Sequence, residues 1–378
     1  MAASDSEEDP GAASASGFSD LSDSEFLLLE EPEDSAPQLV DSAKPSSSSE
    51  LPRVSTGTNM TENGGGLKEK RKRSQTPLEK YFLKYLCVTD ISTQSWCEQQ
   101  MVYGRERPEL QPPERVSLLD AGKSIHLARE LEVHNLVSVR TTSKEDSWAI
   151  KLLNLLSMIP VLQTGHRVRE FPVFGEIGGV FLVGIIDELH YTAKGELELN
   201  ELKTRRRLLM PSKAQIKKDS FQVCLYKYIF DSMVQGQLKP ENFTSHIGLR
   251  PEQPLGLHIK AHAQKAGFTV ASLKELLDLA FLNLTLSDIP NIDRLKIEYI
   301  HQESNALLGT EEVPYERDQV SQEVQYYLAY WKGQRDVRGV DIEEAWKCNM
   351  CAYSSICEWR QDQVAEGPFQ RSGSKKSK

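Results

Sequence analysis

Two carboxylates and a lysine stand close together in the middle of the chain. Asp187 lies in Gly184-Ile185-Ile186-Asp187-Glu188-Leu189-His190, and Glu201 and Lys203 lie in Glu198-Leu199-Asn200-Glu201-Leu202-Lys203. Carboxylate oxygens are the ligands a hard divalent cation takes, and such a cation acidifies a bound water and neutralises developing negative charge. Glu201 and Lys203 are two residues apart, so an extended strand puts both on one face. A solvated charged face, common on alternating strands, would give the same pattern.

Cysteines form the second group. Of the six, Cys348, Cys351 and Cys357 fall in Cys-x2-Cys-x5-Cys, while Cys87, Cys97 and Cys224 are scattered. Thiolates this tightly spaced close around a soft metal or an iron–sulfur cluster, and zinc more often takes two Cys-x2-Cys pairs. With three thiolates local, a fourth has to come from far away, and Cys97 beside Trp96 is the best placed. Cys224, between apolar positions of a helical pattern, reads as packing.

Elements that would position these groups follow from periodicity. Apolar runs Val180 to Ile186 and Leu197 to Leu202 flank Thr192-Ala193-Lys194-Gly195, which predicts a β-hairpin. Three strands are expected, Arg167 to Phe174, Val180 to Tyr191 and Glu196 to Thr204. Helical spacing is expected from Leu78 to Leu86, around Gly122 to Leu131, from Glu145 to Ile159 with Pro160 as the stop, and from Pro211 to about Gln235. A helix (Ser272 to Asn283), a strand (Leu295 to His301) and an amphipathic helix (Asp318 to Lys332) follow. This order is an α/β arrangement. His126 and Glu130 share a helix face, as do Gln222 and Tyr226. Read alone, His126 is a packed or exposed helix residue.

The net charge of −10 is a property of one end. Residues 1–65 hold fourteen acids against Lys44 and Arg53, a net of −12, which leaves +2 on the rest. This Ser-, Gly- and acid-rich stretch is expected to be disordered, because it buries too little apolar surface to offset chain entropy. Residues 1–76 are assigned to that tail, 77–360 to one folded domain, and 361–378 to a basic disordered tail. Within the first tail, Phe18 to Leu29 interleaves acids with Phe and Leu, as in a short helix that docks on a basic, apolar groove. The basic run Lys68-Glu69-Lys70-Arg71-Lys72-Arg73 predicts nuclear import or polyanion contact. No apolar run approaches the roughly 18 residues of a membrane span, and Met1 to Pro10 resembles neither a secretion signal nor a mitochondrial presequence. The expectation is a soluble nuclear protein with a cytosolic pool, monomeric by default.

Taken in order, Gly122-x3-His126, Gly184-x2-Asp187, Glu201-x-Lys203 and Gln222-x3-Tyr226 resemble the RecB-type nuclease module of the PD-(D/E)xK superfamily. With one upstream Cys and a terminal Cys-x2-Cys-x5-Cys, the chain looks like the iron–sulfur branch that includes AddB and Cas4 nucleases. Residues 77–360 are most similar to the eukaryotic exonuclease V (Dem1) family. No Pro-Asp dipeptide precedes Asp187, and Gly184-Ile185-Ile186 stands in its place.

The resemblance implies a nuclease core with a central mixed sheet flanked by helices, and a Mg²⁺ (or Mn²⁺) site held by His126, Asp187 and Glu201. The backbone carbonyl of Leu202 and, further out, Glu170 would assist. Lys203 would position the attacking water or stabilise phosphorane-like charge, and Gln222 and Tyr226 would hold substrate phosphate or order the site. Cys97, Cys348, Cys351 and Cys357 would carry a [4Fe-4S] cluster joining the two ends of the domain across about 250 residues. The implied activity is hydrolysis of single-stranded DNA to short oligonucleotides in DNA repair. Arg205, Arg206 and Arg207 would contact the backbone, and Tyr191, Phe221, Tyr226 and Tyr228 are the aromatics available for stacking. A partner that coats single strands, such as replication protein A, would dock on the acidic Phe18 to Leu29 segment. The rivals are a non-catalytic iron–sulfur or zinc nucleic-acid-binding module, and a nuclease acting on duplex or branched DNA or on RNA.

Overall fold

The computed structural model describes residues 75–132 and 139–365. The acidic tail up to Ser74 with its Phe18 to Leu29 and 68–73 segments, and residues 366–378, lie outside the described residues. A short helix α1 (Pro77–Lys80) is capped reciprocally by Thr76 and Glu79. Strand β1 (Leu86–Cys87) leads directly into α2 (Val88–Trp96), and Cys97 then starts α3 (Glu98–Glu106). Next come α4 (Pro113–Glu130) and α5 (Lys144–Gln163), then β2 (Val168–Ile177), β3 (Val180–Tyr191) and β4 (Leu197–Arg205). The long α6 (Lys213–Val234) and the shorter α7 (Pro240–Ile247), α8 (Leu257–Lys265) and α9 (Leu273–Leu286) follow. The chain closes with β5 (Arg294–His301), β6 (Leu307–Glu312), α10 (Arg317–Trp331), a 3-10 segment (Ile342–Met350) and α11 (Glu358–Ala365).

All six strands form one sheet in the order β1-β3-β4-β5-β6, with β2 on the other edge of β3. β1 with β3 and β4 with β5 are parallel, and the remaining pairs are antiparallel, so the sheet is mixed as expected. β3 is buried at nine of its twelve positions, all but Ile185, His190 and Tyr191, which suits a strand flanked on both sides. One consequence of this order matters for the site. β2 occupies a whole edge of β3, so β1 and β4 share the other edge. β1 pairs at Leu182 and Val183, and β4 only at Glu188 to Tyr191. Between them, Gly184 to Asp187 face a fork.

Helix α6 packs along this region with Phe221, Leu225, Ile229 and Met233 buried, as its spacing predicts. Its side chains press close at two glycines. A Cβ on Gly175 would stand 3.1 Å from Ile229, and one on Gly184 would stand 2.6 Å from the Tyr226 ring and 2.9 Å from Val88.

Several expected boundaries move. Helical spacing from Leu78 to Leu86 gives only the single turn of α1. Phe82 then adopts φ +56°, and Leu86 and Cys87 leave the helix to pair with β3. Pro160 does not stop α5, which continues to Gln163. The missing amide removes one bond near the end of the helix, while the last turn buries Leu162 completely. The final helix runs to Ala365, past the boundary expected at 360. Among the described residues no helix is long and apolar enough to cross a membrane.

Candidate active site and cysteine pocket

The fork along β3 places the first group. Where β4 has separated from β3, the Leu202 amide donates to Asp187 Oδ2 at 2.7 Å instead of to a strand carbonyl. The carboxylate thus replaces a missing ladder bond, which fixes its orientation. His126 on α4 approaches from the other side, with Nδ1 3.4 Å from Asp187 Oδ1. Glu170 on β2 stands between the pairs Arg169–Glu188 and Phe171–Ile186, opposite Asp187. Its φ of +55° takes it out of the ladder, a conformation uncommon outside glycine and worth a functional reading. Ligand atoms of His126, Glu170 and Asp187 all lie within 4.8 Å of one another, the one such group among the described residues.

Beside this trio is a second cluster. Lys203 Nζ donates to Glu201 Oε1 and to Gln222 Oε1, each at 3.0 Å. Gln222 Nε2 reaches Glu201 Oε1 at 3.4 Å and the Tyr226 hydroxyl at 3.2 Å. Glu201, Gln222 and Tyr226 are wholly buried. A buried ammonium and carboxylate need each other and further hydrogen bonds, and Gln222 supplies them. Burial pushes the Asp187 carboxyl up, but His126, the Lys203 ammonium and the Leu202 amide outweigh it and hold the group below its ordinary value. Asp187 is therefore an anion in a largely dry setting, the state a cation ligand needs.

Two roles suggested by spacing are altered by depth. Tyr226 is covered by Gly184 and α2, so it supports Gln222 and offers no face for a base. Phe221 is also buried and packs on Tyr327, while the Tyr228 ring lies under Arg317. Arg205 is buried and donates through Nε to the Leu209 carbonyl at 3.0 Å. Only Arg206 and Arg207 of that run are exposed, so Arg205 is not placed to make the backbone contact expected of it. Leu202 contributes its amide, to Asp187. Sequence reading named Glu170 as an outer ligand but missed its left-handed backbone, for which Phe171-Pro172 beside it was the nearest hint, because backbone conformation leaves little trace in residue type.

Cys97, Cys348, Cys351 and Cys357 line one pocket, together with Trp96, Gln100, Tyr103, Lys347, Trp359 and Arg360. Cys97 caps α3, its Sγ accepting the Gln100 amide at 3.4 Å, and Gln100 Nε2 reaches Cys351 Sγ at 3.6 Å. Burial drives the Cys97 thiol up to about 12; the Gln100 amide opposes this, and the Cys351, Cys348 and Cys357 sulfurs add to it. Such a thiol ionises only against a strong Lewis acid. Cys224 is buried apart from the others, its Sγ 3.7 Å from the Pro314 carbonyl, as packing requires.

The comparisons with known proteins define a class first. A DNA exonuclease, and so a phosphodiester hydrolase, is what the matching relatives share with this chain. The family model described as "Exonuclease V - a 5' deoxyribonuclease" matches residues 76–201, 192–276 and 260–360. A curated protein named Exonuclease V, from Danio rerio, is 44% identical over 365 residues, covering 91% of this chain and 93% of that protein. The chain belongs to the exonuclease V family. A solved structure titled "Crystal structure of SSO0001" aligns at 14% identity and a TM-score of 0.34, covering 75% of this chain and 93% of that one, and carries no argument at that score.

Proposed function

We propose that this protein is a divalent-cation-dependent exonuclease that hydrolyses single-stranded DNA to short oligonucleotides. One observation carries the reading: the convergence of His126, Glu170 and Asp187 within 4.8 Å, next to the buried Glu201–Lys203–Gln222 cluster. An anionic carboxylate, an imidazole and further carboxylates are donors that fit Mg²⁺ or Mn²⁺. His126, Glu170 and Asp187 would hold the cation; Glu201, expected as a ligand, lies outside that group with one oxygen on Lys203 and would assist only through its other oxygen. When bound, it supplies an acidified water and neutralises charge on the phosphodiester. Lys203, fixed by Glu201 and Gln222, provides a positive charge where negative charge grows on the phosphoryl oxygens. Gln222 and Tyr226 act as positioning residues for Lys203.

The four cysteines fit a [4Fe-4S] cluster. Four thiols lining one pocket are the donor set of such a cluster or of tetrahedral zinc, and the Cys-x2-Cys-x5-Cys spacing with one distant cysteine favours the cluster. Its role here is structural, tying α3 to the C-terminal segment. Iron analysis of anaerobically purified protein tests it against zinc.

The decisive assay incubates end-labelled single and double strands of DNA, and RNA, with Mg²⁺. Asp187→Ala should lose cleavage and retain strand binding, and normal cleavage by that variant would refute the site. A non-catalytic module of this family would lack Asp187 or the Glu201-x-Lys203 pair, and both are intact. Nuclear repair work fits the 68–73 run, and docking of a single-strand-binding protein such as replication protein A fits the acidic Phe18 to Leu29 segment. Deleting residues 1–65 should lower activity on protein-coated strands while sparing bare ones.

A further inference from the structure

A second cleft opens beside the carboxylate trio, and apart from Glu170 nothing in the hydrolytic reading uses its lining. It is lined by Ser147, Ile150, Lys151 and Asn154 of α5, by Glu130 of α4, by Val139 and Thr141, and by Glu170, Pro172 and Ile185 of the sheet. Its cavity volume is about 220 Å³, below the roughly 300–1,000 Å³ of drug-sized sites and room for a single planar ring system. Glu170 belongs both to this cleft and to the trio with His126 and Asp187, so the two are continuous.

The lining is mixed in an ordered way. Ile150, Val139, Pro172 and Ile185 are apolar walls. Ser147, Lys151 and Asn154 recur at helical spacing and present two neutral hydrogen-bonding groups and one cation along a single face of α5. Lys151 is buried and lies over the Trp148 ring at 4.6 Å. Two acids, Glu130 and Glu170, disfavour a second phosphate inside the cleft. A neutral, flat, partly apolar group with a polar edge suits it better.

We infer that this cleft receives the nucleoside adjoining the scissile phosphate, its base between the apolar walls and its polar edge toward Asn154, Thr141 and Ser147. The inference rests on the reading of the His126–Glu170–Asp187 trio as the hydrolytic centre. It adds a physical source for single-strand preference. A base enters such a cleft only when it is unpaired and unstacked, and a base held in a duplex pays for both before it can bind.

Asn154 and Thr141 are exposed, so tryptophan at either position fills the cleft without disturbing the core. The test compares the full-length protein with Asn154→Trp and Thr141→Trp on a single-stranded oligonucleotide in Mg²⁺. KM, kcat, product lengths and melting midpoint are measured. Both variants should show kcat/KM lowered about tenfold, the loss carried by KM, with an unchanged melting midpoint and altered product lengths. Wild-type KM and product lengths in both variants overturn the subsite, as does a loss confined to kcat. Asp187→Asn is assayed in parallel. If it cleaves normally, the hydrolytic reading fails by itself, and the KM comparison still reports on the cleft.

Discussion

Asp187, Glu201 and Lys203 sit on strands of one sheet, Asp187 at the fork in β3 and Glu201 and Lys203 paired along β5, whereas three of the four cysteines sit on a 3-10 segment and the turns after it. In the first region the backbone itself aims the side chains: the Leu202 amide fixes Asp187, and alternation on β4 aims Glu201 and Lys203 together. In the second, the local chain has little regular structure, and what brings it to Cys97 is long-range. Arg335 donates to Glu98 through both terminal nitrogens, and the Arg338 amide adds a bond of 2.9 Å to the same carboxylate. Trp96 packs edge-on against Trp346, and Tyr103 packs at a tilt of 34° against Tyr353. The contrast separates two ways of making a site. One is rigid before any ligand arrives and should fail in chemistry. The other is assembled from distant pieces and should fail in folding.

The largest effect should come from changing charge in the rigid region while keeping shape. Asp187→Asn preserves an acceptor for the Leu202 amide, so the melting midpoint should stay within about 3 °C. Cleavage of single strands should fall about a thousandfold, or ~4 kcal/mol of transition-state stabilisation. In the cysteine pocket the signs reverse. Cys351→Ser, or iron chelation of the wild type, should lower the melting midpoint by roughly 10 °C, with activity lost only as far as the folded fraction falls. Thermal melts run beside activity on the same samples check both. Equal loss of stability in the two variants would erase the distinction.

Why some of this was readable and some not follows from range. The β3–β4 hairpin was legible because apolar alternation and a four-residue turn are local signals, and Cys348, Cys351 and Cys357 because thiol spacing is. The two-residue β1 has no pattern of its own and is defined by Leu182 and Val183, almost a hundred residues away. The short helices α7 and α8 escaped for a related reason: each is held by a few buried residues, such as Phe243 and Ile259, against distant partners. Depth was the other blind spot. Helical spacing put Gln222 and Tyr226 on one face, but nothing local said that Tyr226 would be sealed in while Arg206 stayed in water. The fork that exposes Asp187 to the Leu202 amide depends on three strands at once.

Glu98 tests the long-range tie without touching a cysteine. It is buried, and besides Arg335 and the Arg338 amide it accepts from Gln94 Nε2 at 3.0 Å. Glu98→Ala removes the carboxylate these donors share, leaving Gln94 its bond to the Tyr327 carbonyl and Arg335 its bonds to the Tyr326 and Asp336 carbonyls, and should cost about 2–4 kcal/mol. Chemical denaturation should show that loss, accompanied by lower iron content, whereas Asp187→Asn should leave iron content unchanged. Gly184→Ala comes next in size, since its Cβ would meet the Tyr226 ring at 2.6 Å. The ring, Val88 or the strand must shift, at about 1–3 kcal/mol. Because Asp187 is three residues along the same strand, a drop in kcat should accompany the drop in stability.

Tyr226→Phe is the mildest perturbation, and it asks how far rigidity in the first region reaches. The ring and its packing on Gly184 are retained, and only the hydroxyl that accepts from Gln222 Nε2 is removed. Gln222 then keeps Lys203 through its oxygen and Glu201 through its amide, so the cluster loses one bond of several. The expected cost is about 0.5–1.5 kcal/mol in stability and a severalfold fall in kcat, with KM unchanged. A positioning role predicts that split, because Tyr226 is buried beneath Gln222 and does not meet the strand. If KM rose instead and strand binding weakened, the hydroxyl would have to touch DNA, and the site would open more deeply along α6 than its burial shows.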